Sequence, residues 1–322
     1  MKAVSLFSGC GGFDKGAQLA GVDIVWANDI DSSAGKFYKS YFPKAEFVEK
    51  DIKTINDFPN ADLLIGCYPC TGFSMASRRR WKNLENRDLK KNDTNFLFRE
   101  FLRAVGIVKP KAIFVENVRG MLSANNGEFL AEQLNGFASL GFTKIKPLIL
   151  NAAHYGVAQT RQRVFLVGVH EDYAANEFGS PIPSFGSAAK PIRVLKDVIG
   201  DLDPWPIGEF FEGSFHGHYL TRNRKRAWDQ PSFTIVADGH HVPLHPLGSP
   251  MEYVSKDKWR LGEGRNRRLS WRECSRIQGL PDIDDIDCTL LDKYRVMGNS
   301  VPPLLAKALV EPVVRFIKSK EL

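Results

Sequence analysis

Ala3-Val4-Ser5-Leu6-Phe7-Ser8-Gly9-Cys10-Gly11-Gly12 decides the fold, because a short apolar run passes directly into a glycine-rich turn. Ala3 to Phe7 reads as a strand, and a helix is expected near Asp14 to Ala20. Glycines at such a turn let the backbone approach a ligand closely and adopt positive φ. Position 14 is Asp, so the third glycine of the G-x-G-x-x-G fingerprint is missing and an ordinary NAD site is disfavoured. A second strand, Ile24 to Ala27, ends at Asn28-Asp29. An acid there is placed to accept hydrogen bonds from two ribose hydroxyls. Asp51 follows a third strand at Glu46 to Val48 and is placed to accept from an adenine amino group. The loop therefore points to an adenosine-containing cofactor.

Outward from that loop, apolar runs alternate with helical segments. Further strands are expected at Leu63 to Ile65 and Ala112 to Val115, with adjoining strands at Thr143 to Leu150 and Val164 to Val169. Helices are expected at Asn95 to Val108, stopping before Lys109-Pro110, and near Gly127 to Leu140. This alternation predicts an α/β fold with a mostly parallel sheet and crossover helices. From His170 to about Arg265 the chain turns rich in Gly, Pro, His and aromatics, which predicts a smaller, loop-rich lobe. Trp271 to Gln278 is helical again, and Pro302-Pro303 opens a last helix through Ala306 to Ile317. The expected organisation is residues 1–169 as a catalytic and cofactor-binding domain and 170–265 as the lobe. Residues 266–322 then return to the first domain. No internal repeat interrupts it.

The 322 residues carry a net charge of +7 and an ordinary apolar fraction. Their longest apolar runs are strand-sized, too short for a bilayer. Met1-Lys2 leads straight into a strand without a signal-peptide pattern, so a cytoplasmic protein is expected. The five cysteines are scattered and do not read as a disulfide framework. Basic residues cluster at Arg78-Arg79-Arg80, Lys82, Arg87, Lys90 and Lys91, at Arg222, Arg224, Lys225 and Arg226, and at Arg265, Arg267, Arg268 and Arg272. Together they predict a polyanionic partner.

Gly66-Cys67-Tyr68-Pro69-Cys70-Thr71-Gly72-Phe73-Ser74 sits at the carboxyl end of the fourth strand, where open parallel sheets bind ligands. Glu116-Asn117-Val118 takes the same edge one strand later, and Gln159-Thr160-Arg161-Gln162-Arg163 leads into another strand, its arginines alternating onto one face. A thiolate, a carboxylate and two arginines suit nucleophilic addition to an electron-poor ring. The sharpest rival is Cys67-x-x-Cys70 as a redox pair, but that leaves the glycine loop, Glu116 and the arginines unexplained. A zinc knuckle lacks a second Cys/His pair at ligand spacing, and no metal is expected. His240, His241 and His245 are read as surface histidines, and Cys10, Cys274 and Cys288 as packing residues.

Leu6-Phe7-Ser8-Gly9-Cys10-Gly11-Gly12-Phe13, Pro69-Cys70, Glu116-Asn117-Val118 and Gln159-x-Arg161-x-Arg163 resemble successive motifs of the cytosine-5 DNA methyltransferases. So do Arg267 to Pro281-Asp282 and Gly298-Asn299-Ser300-Val301-Pro302-Pro303, and the order holds nearly end to end. The resemblance implies a Rossmann-like sheet of the S-adenosylmethionine-dependent methyltransferase type. It implies Cys70 as covalent nucleophile at ring carbon 6, Glu116 at the base edge, and Arg161 and Arg163 supporting both. Phe7, Gly9, Gly11, Gly12, Asp29, Ile30, Asp51, Asn299, Ser300 and Val301 would surround S-adenosyl-L-methionine, with S-adenosyl-L-homocysteine as product. Ile30 departs from a common aromatic, and Cys67-Tyr68 from a small residue and proline.

A cytosine inside a duplex hides carbon 6, so the base must be extruded. By family similarity Met75 to Thr94 is a loop closing over it, with Ser74, Arg78, Arg79 and Arg80 as candidate DNA contacts. In the target-recognition lobe the candidates are Arg222, Arg224, Arg226 and Thr234. The expected partner is double-stranded DNA, favoured over transfer RNA. A cognate restriction endonuclease would act on the same site, and the protein would be a nucleoid-associated monomer in the cytoplasm.

Overall fold

The structure, a computed structural model, describes residues 1–69, 92–173 and 180–320. Its contacts divide the chain into two compact units. Met1–Leu150, Gln162–Ile182 and Ala306–Leu322 make the first; Asn151–Arg161 and Pro183–Leu305 make the second. The boundaries expected from composition, at 169/170 and 265/266, mark changes of sequence character. The contacts group Asn151–Arg161 and the chain through Leu305 with the lobe.

The first unit is organised by strands β1 (Lys2–Leu6), β2 (Asp23–Asp29), β3 (Glu46–Glu49), β4 (Leu63–Gly66), β5 (Ala112–Asn117), β6 (Pro147–Asn151) and β7 (Gln162–Val169). They form one sheet in the order β3-β2-β1-β4-β5-β7-β6. β1 to β5 run parallel and β7 antiparallel to β5, so the mostly parallel α/β expectation holds. β4 and β5 are buried along their whole length, as strands covered on both faces must be, and each opens on an apolar run, Leu63 to Ile65 and Ala112 to Val115.

Helices α1 (Gly12–Leu19), α2 (Ser32–Tyr41), α3 (Phe98–Val108) and α4 (Glu128–Ala138) connect these strands. Phe98, Phe101 and Phe137 join Val4, Leu6, Leu64, Ile113 and Val115 in one core. The helix expected from Asn95 begins only at Phe98, after a 3-10 turn over Asp93–Phe96; it ends on Lys109, whose φ of 50° turns the chain ahead of Pro110. α2 is not apparent in the periodicity. It is started by Asp31, whose carboxylate accepts from the Ser33 and Ala34 amides.

The second unit has little regular structure. Helices α5 (Lys196–Ile199), α6 (Trp271–Gln278) and α7 (Leu290–Asn299) and a hairpin of β8 (Glu252–Ser255) and β9 (Lys258–Arg260) punctuate long loops. Tyr219, Leu244 and Met251 form a small core there. The last helix, α8 (Pro303–Lys320), belongs from Ala306 onward to the first unit and buries Leu309, Val313 and Ile317 along one stripe.

The loops of the second unit are held by cations, which corrects the reading of the third basic cluster as facing a polyanion. Arg268 is buried and donates to the carbonyls of His240, Gly213 and Ser214. Arg267 is buried in a two-pronged ion pair with Glu273, which also closes a capping box with Ser270 at the start of α6. Arg272 pairs with Glu209. The reason is general: loop carbonyls buried without ladder partners need side-chain donors. His245 is likewise no surface residue. It is 2% exposed, and burial, with the Arg267 and Lys225 charges, pushes its pKa down to about 3. His240 and His241 share the Asp238 carboxylate.

Candidate active site

The carboxyl edge of the first unit's sheet is built around the glycine loop. Phe7 leaves β1 with φ of 54°, followed by Gly9 at 55° and Gly11 at 83°. Gly11 admits no larger residue, since a Cβ there would lie 2.4 Å from the Phe42 ring. Above Gly9, in contrast, a Cβ would meet nothing within 4 Å, so this backbone borders open space. The Gly9 amide donates to Asp29 Oδ2 at 2.7 Å, and the Asp31 amide to Asp29 Oδ1 at 2.9 Å. Two fixed bonds thus orient the Asp29 carboxylate.

Ile30, the next residue, is 69% exposed. Asn28 donates to the carbonyls of Val48 and Lys50, tying the end of β2 to the segment that carries Asp51. Asp51 accepts from the Lys53 amide and opens the 3-10 turn Ile52–Thr54. Behind the loop lies a group that the sequence reading missed. Asp14, fully buried, accepts from Ser5 Oγ at 2.7 Å and Tyr38 Oη at 2.8 Å, and burial raises its pKa to about 6. A carboxylate two residues beyond a glycine pair at a helix start was the available signal.

At the end of β5, Glu116 is nearly buried, and its Oε1 accepts from Arg163 Nε at 2.9 Å. The register explains the pairing. Glu116 lies opposite Phe165 in the antiparallel β5–β7 pair, so Arg163 is its diagonal neighbour, within reach of a long side chain. Arg161 has other partners. β7 begins at Gln162, so strand alternation does not extend to Arg161. Arg161 belongs to the second unit, where its guanidinium donates at 3.0 Å to the carbonyls of both Ile235 and Gly298.

Cys67 follows β4. Burial pushes its thiol well up, helped by the negative charges of Glu116, Asp14 and Asp29. A redox pair needs an easily ionised thiol, so Cys67 is poorly suited to that rival role. Cys70, Ser74, Arg78, Arg79 and Arg80 lie outside the described residues.

Within the second unit, Asn299 ends α7, and Ser300 and Val301 are buried beyond it. Of the candidate DNA contacts, Arg222 is exposed. Arg226 stacks 4.0 Å over the Phe233 ring, and Thr234 donates to the Thr160 carbonyl. Arg224, 5% exposed, donates to the carbonyls of Tyr219 and His241, so its donors serve the lobe's own loops.

Comparison with known proteins bears on the whole chain. The family model described as C-5 cytosine-specific DNA methylase matches residues 1–315. The chain belongs to that family. It methylates cytosine in DNA at ring carbon 5. Among its relatives, the type II methyltransferase M.BsuRI of Bacillus subtilis is 37% identical, the match covering 98% of this chain and 80% of the relative. M.FnuDI of Fusobacterium nucleatum, also a type II methyltransferase, is 36% identical over 100% of this chain and 96% of its own. The same fold appears in the Dnmt2 methyltransferase of S. pombe, with a TM-score of 0.71 at 18% identity and 98% of each chain covered. The methyltransferase EhMeth of Entamoeba histolytica gives a TM-score of 0.64 at 16% identity, covering 100% and 99%.

Proposed function

We propose that this cytosine-5 methyltransferase works on double-stranded DNA through Cys70. The observation carrying the reading is the Glu116–Arg163 ion pair at the sheet edge that also bears the glycine loop. Pyrimidine carbon 5 is a poor nucleophile. The Cys70 thiolate forms a bond to carbon 6, and the ring's electrons shift to make carbon 5 enamine-like. Glu116 hydrogen-bonds ring nitrogen 3 and relieves the charge developing there, held in position by Arg163. Arg161 acts at one remove, holding the segment that leads into β7. After carbon 5 is methylated, its proton passes to water, the bonding pair re-forms the ring double bond and the Cys70 thiolate is expelled.

The donor is S-adenosyl-L-methionine, which supplies an electrophilic methyl group and leaves as S-adenosyl-L-homocysteine. The residues present fit it. The open space above Gly9 admits a ligand against backbone, the oriented Asp29 carboxylate can accept from ribose hydroxyls, and exposed Ile30 offers an apolar face to adenine. Phe7, Gly11, Gly12 and Asp51 complete the first unit's part of the set.

On the DNA side, Ser74, Arg78, Arg79, Arg80, Arg222, Arg226 and Thr234 contact the duplex, and the lobe sets the target sequence. The type II relatives support a restriction-modification setting with a cognate endonuclease. The protein acts as a monomer in the cytoplasm, on the nucleoid.

Duplex DNA containing 5-fluorocytosine tests the mechanism, because fluorine cannot leave carbon 5 as the proton does. The expected result is a denaturation-resistant protein–DNA adduct, with Cys70 as the modified residue and no adduct from Cys70→Ala. An adduct on another residue sinks the assignment. Bisulfite sequencing of DNA from expressing cells would give the sequence context.

A further inference from the structure

Tyr68 stands where the family resemblance leads one to expect proline, and the mechanism above gives it no task. It is 4% exposed. Its ring meets Phe7 edge-on at 6.1 Å between centroids and Phe101 at 5.8 Å. Its hydroxyl donates to Gln133 Oε1 at 2.5 Å. Gln133, itself 1% exposed on α4, donates from Nε2 to the Phe129 carbonyl at 2.8 Å and lies 3.6 Å from Met121 Sδ. A buried amide oxygen is costly to leave without a donor, so this pair favours one arrangement.

Two residues earlier, a Cβ at Gly66 would meet the Phe101 ring at 2.5 Å, so β4 exits tight against the same ring that Tyr68 touches. Pro69 follows with its fixed φ and leads in sequence to Cys70.

We propose that Tyr68 is a positioning residue. Its hydroxyl, anchored on Gln133, fixes the exit from β4 that leads to Cys70, while its ring backs Phe7. This rests on Cys70 being the nucleophile. Covalent attack is steep in geometry, and a misplacement of about 1 Å costs about 10²-fold in rate.

The test uses the full chain, with single-turnover methylation of duplex DNA, S-adenosylmethionine affinity and thermal unfolding measured side by side. Tyr68→Phe keeps the ring on Phe7 but removes the anchor. The expected result is a single-turnover rate lowered about tenfold or more, with cofactor affinity unchanged. Gln133→Leu is expected to do the same. The double variant, Tyr68→Phe with Gln133→Leu, removes the stranded amide and is expected to recover thermal stability without recovering rate. A wild-type rate in Tyr68→Phe, or a rate that returns with stability in the double variant, overturns the proposal. Cys70→Ala is the control on its footing. Wild-type methylation there would mean that the nucleophile assignment has failed rather than the anchor.

Discussion

In the first unit, Arg163 holds one carboxylate at the rim of a regular sheet; in the second, Arg161, Arg224 and Arg268 give their donors to backbone carbonyls. The difference follows from how each unit satisfies its backbone. Strands β1 to β5 pair with one another, so polar side chains at their ends remain available for a site. The loops of Pro183–Leu305 have few ladders, and guanidinium groups, each with several donors in a fixed fork, replace them. The same residue type therefore holds a strand-end carboxylate in one unit and loop carbonyls in the other.

Glu116→Gln makes the sharpest test of the first half of that contrast. The amide can still accept from Arg163 through its oxygen, so folding should persist. On the proposed mechanism, what is lost is the carboxyl group that contacts the base. Methylation should fall about 10³- to 10⁴-fold, or about 4 to 5 kcal/mol of barrier. A variant within tenfold of wild type would place the chemistry elsewhere.

Arg267→Met should act on the other half, through stability. It strands Glu273, whose side chain is 1% exposed, and breaking such a pair costs about 3 to 5 kcal/mol. Denaturant unfolding measures this, and a loss below about 1 kcal/mol would show the lobe to be held by other means.

The two units should also respond to pH with opposite sign. Burial raises Asp14 from 3.8 to about 6, so its contribution is present below pH 3.8 and lost as pH rises through 6. The ionised form is disfavoured by about 3 kcal/mol, and Asp14→Asn should remove that dependence. His245 is depressed from 6.5 to about 3, so its contribution is present above 6.5 and declines as pH falls. By pH 5 the decline is about 2 kcal/mol, and His245→Phe should lack it. Unfolding curves from pH 4 to 8 would show both; slopes of the same sign would contradict the burial seen here.

Legibility in the sequence follows the same division. The β1–turn–α1 passage was readable because every constraint on it is local: an apolar run, then glycines at positive φ. Glu116 and Arg163 were readable as types at strand ends, and strand register brings them together. α2 was not, because its buried face is Ala34, Gly35, Phe37, Tyr38 and Tyr41, small and aromatic residues spaced among polar ones. Two carbonyls that Arg161 donates to lie 74 and 137 residues away. Sequence spacing carries no trace of such a contact. The burial of His245 and Arg268 is hidden for the same reason, since nothing local distinguishes a buried polar side chain in a loop from an exposed one.

Arg222 gives the smallest predicted effect. It is exposed, whereas Arg224, two residues on, is committed to carbonyls. If Arg222 meets a phosphate, Arg222→Ala should weaken duplex binding about tenfold or less, equally on cognate and unrelated sequences. The slope of log affinity against log salt should fall by about 1. If it reads a guanine edge, the loss would instead be confined to the cognate site, about 1 to 3 kcal/mol, and neighbouring sequences would begin to be methylated. Binding titrations on both duplexes at two salt concentrations separate these outcomes. Arg224→Ala on the same duplexes should lower the unfolding midpoint instead, because what it removes is the bond between two loops.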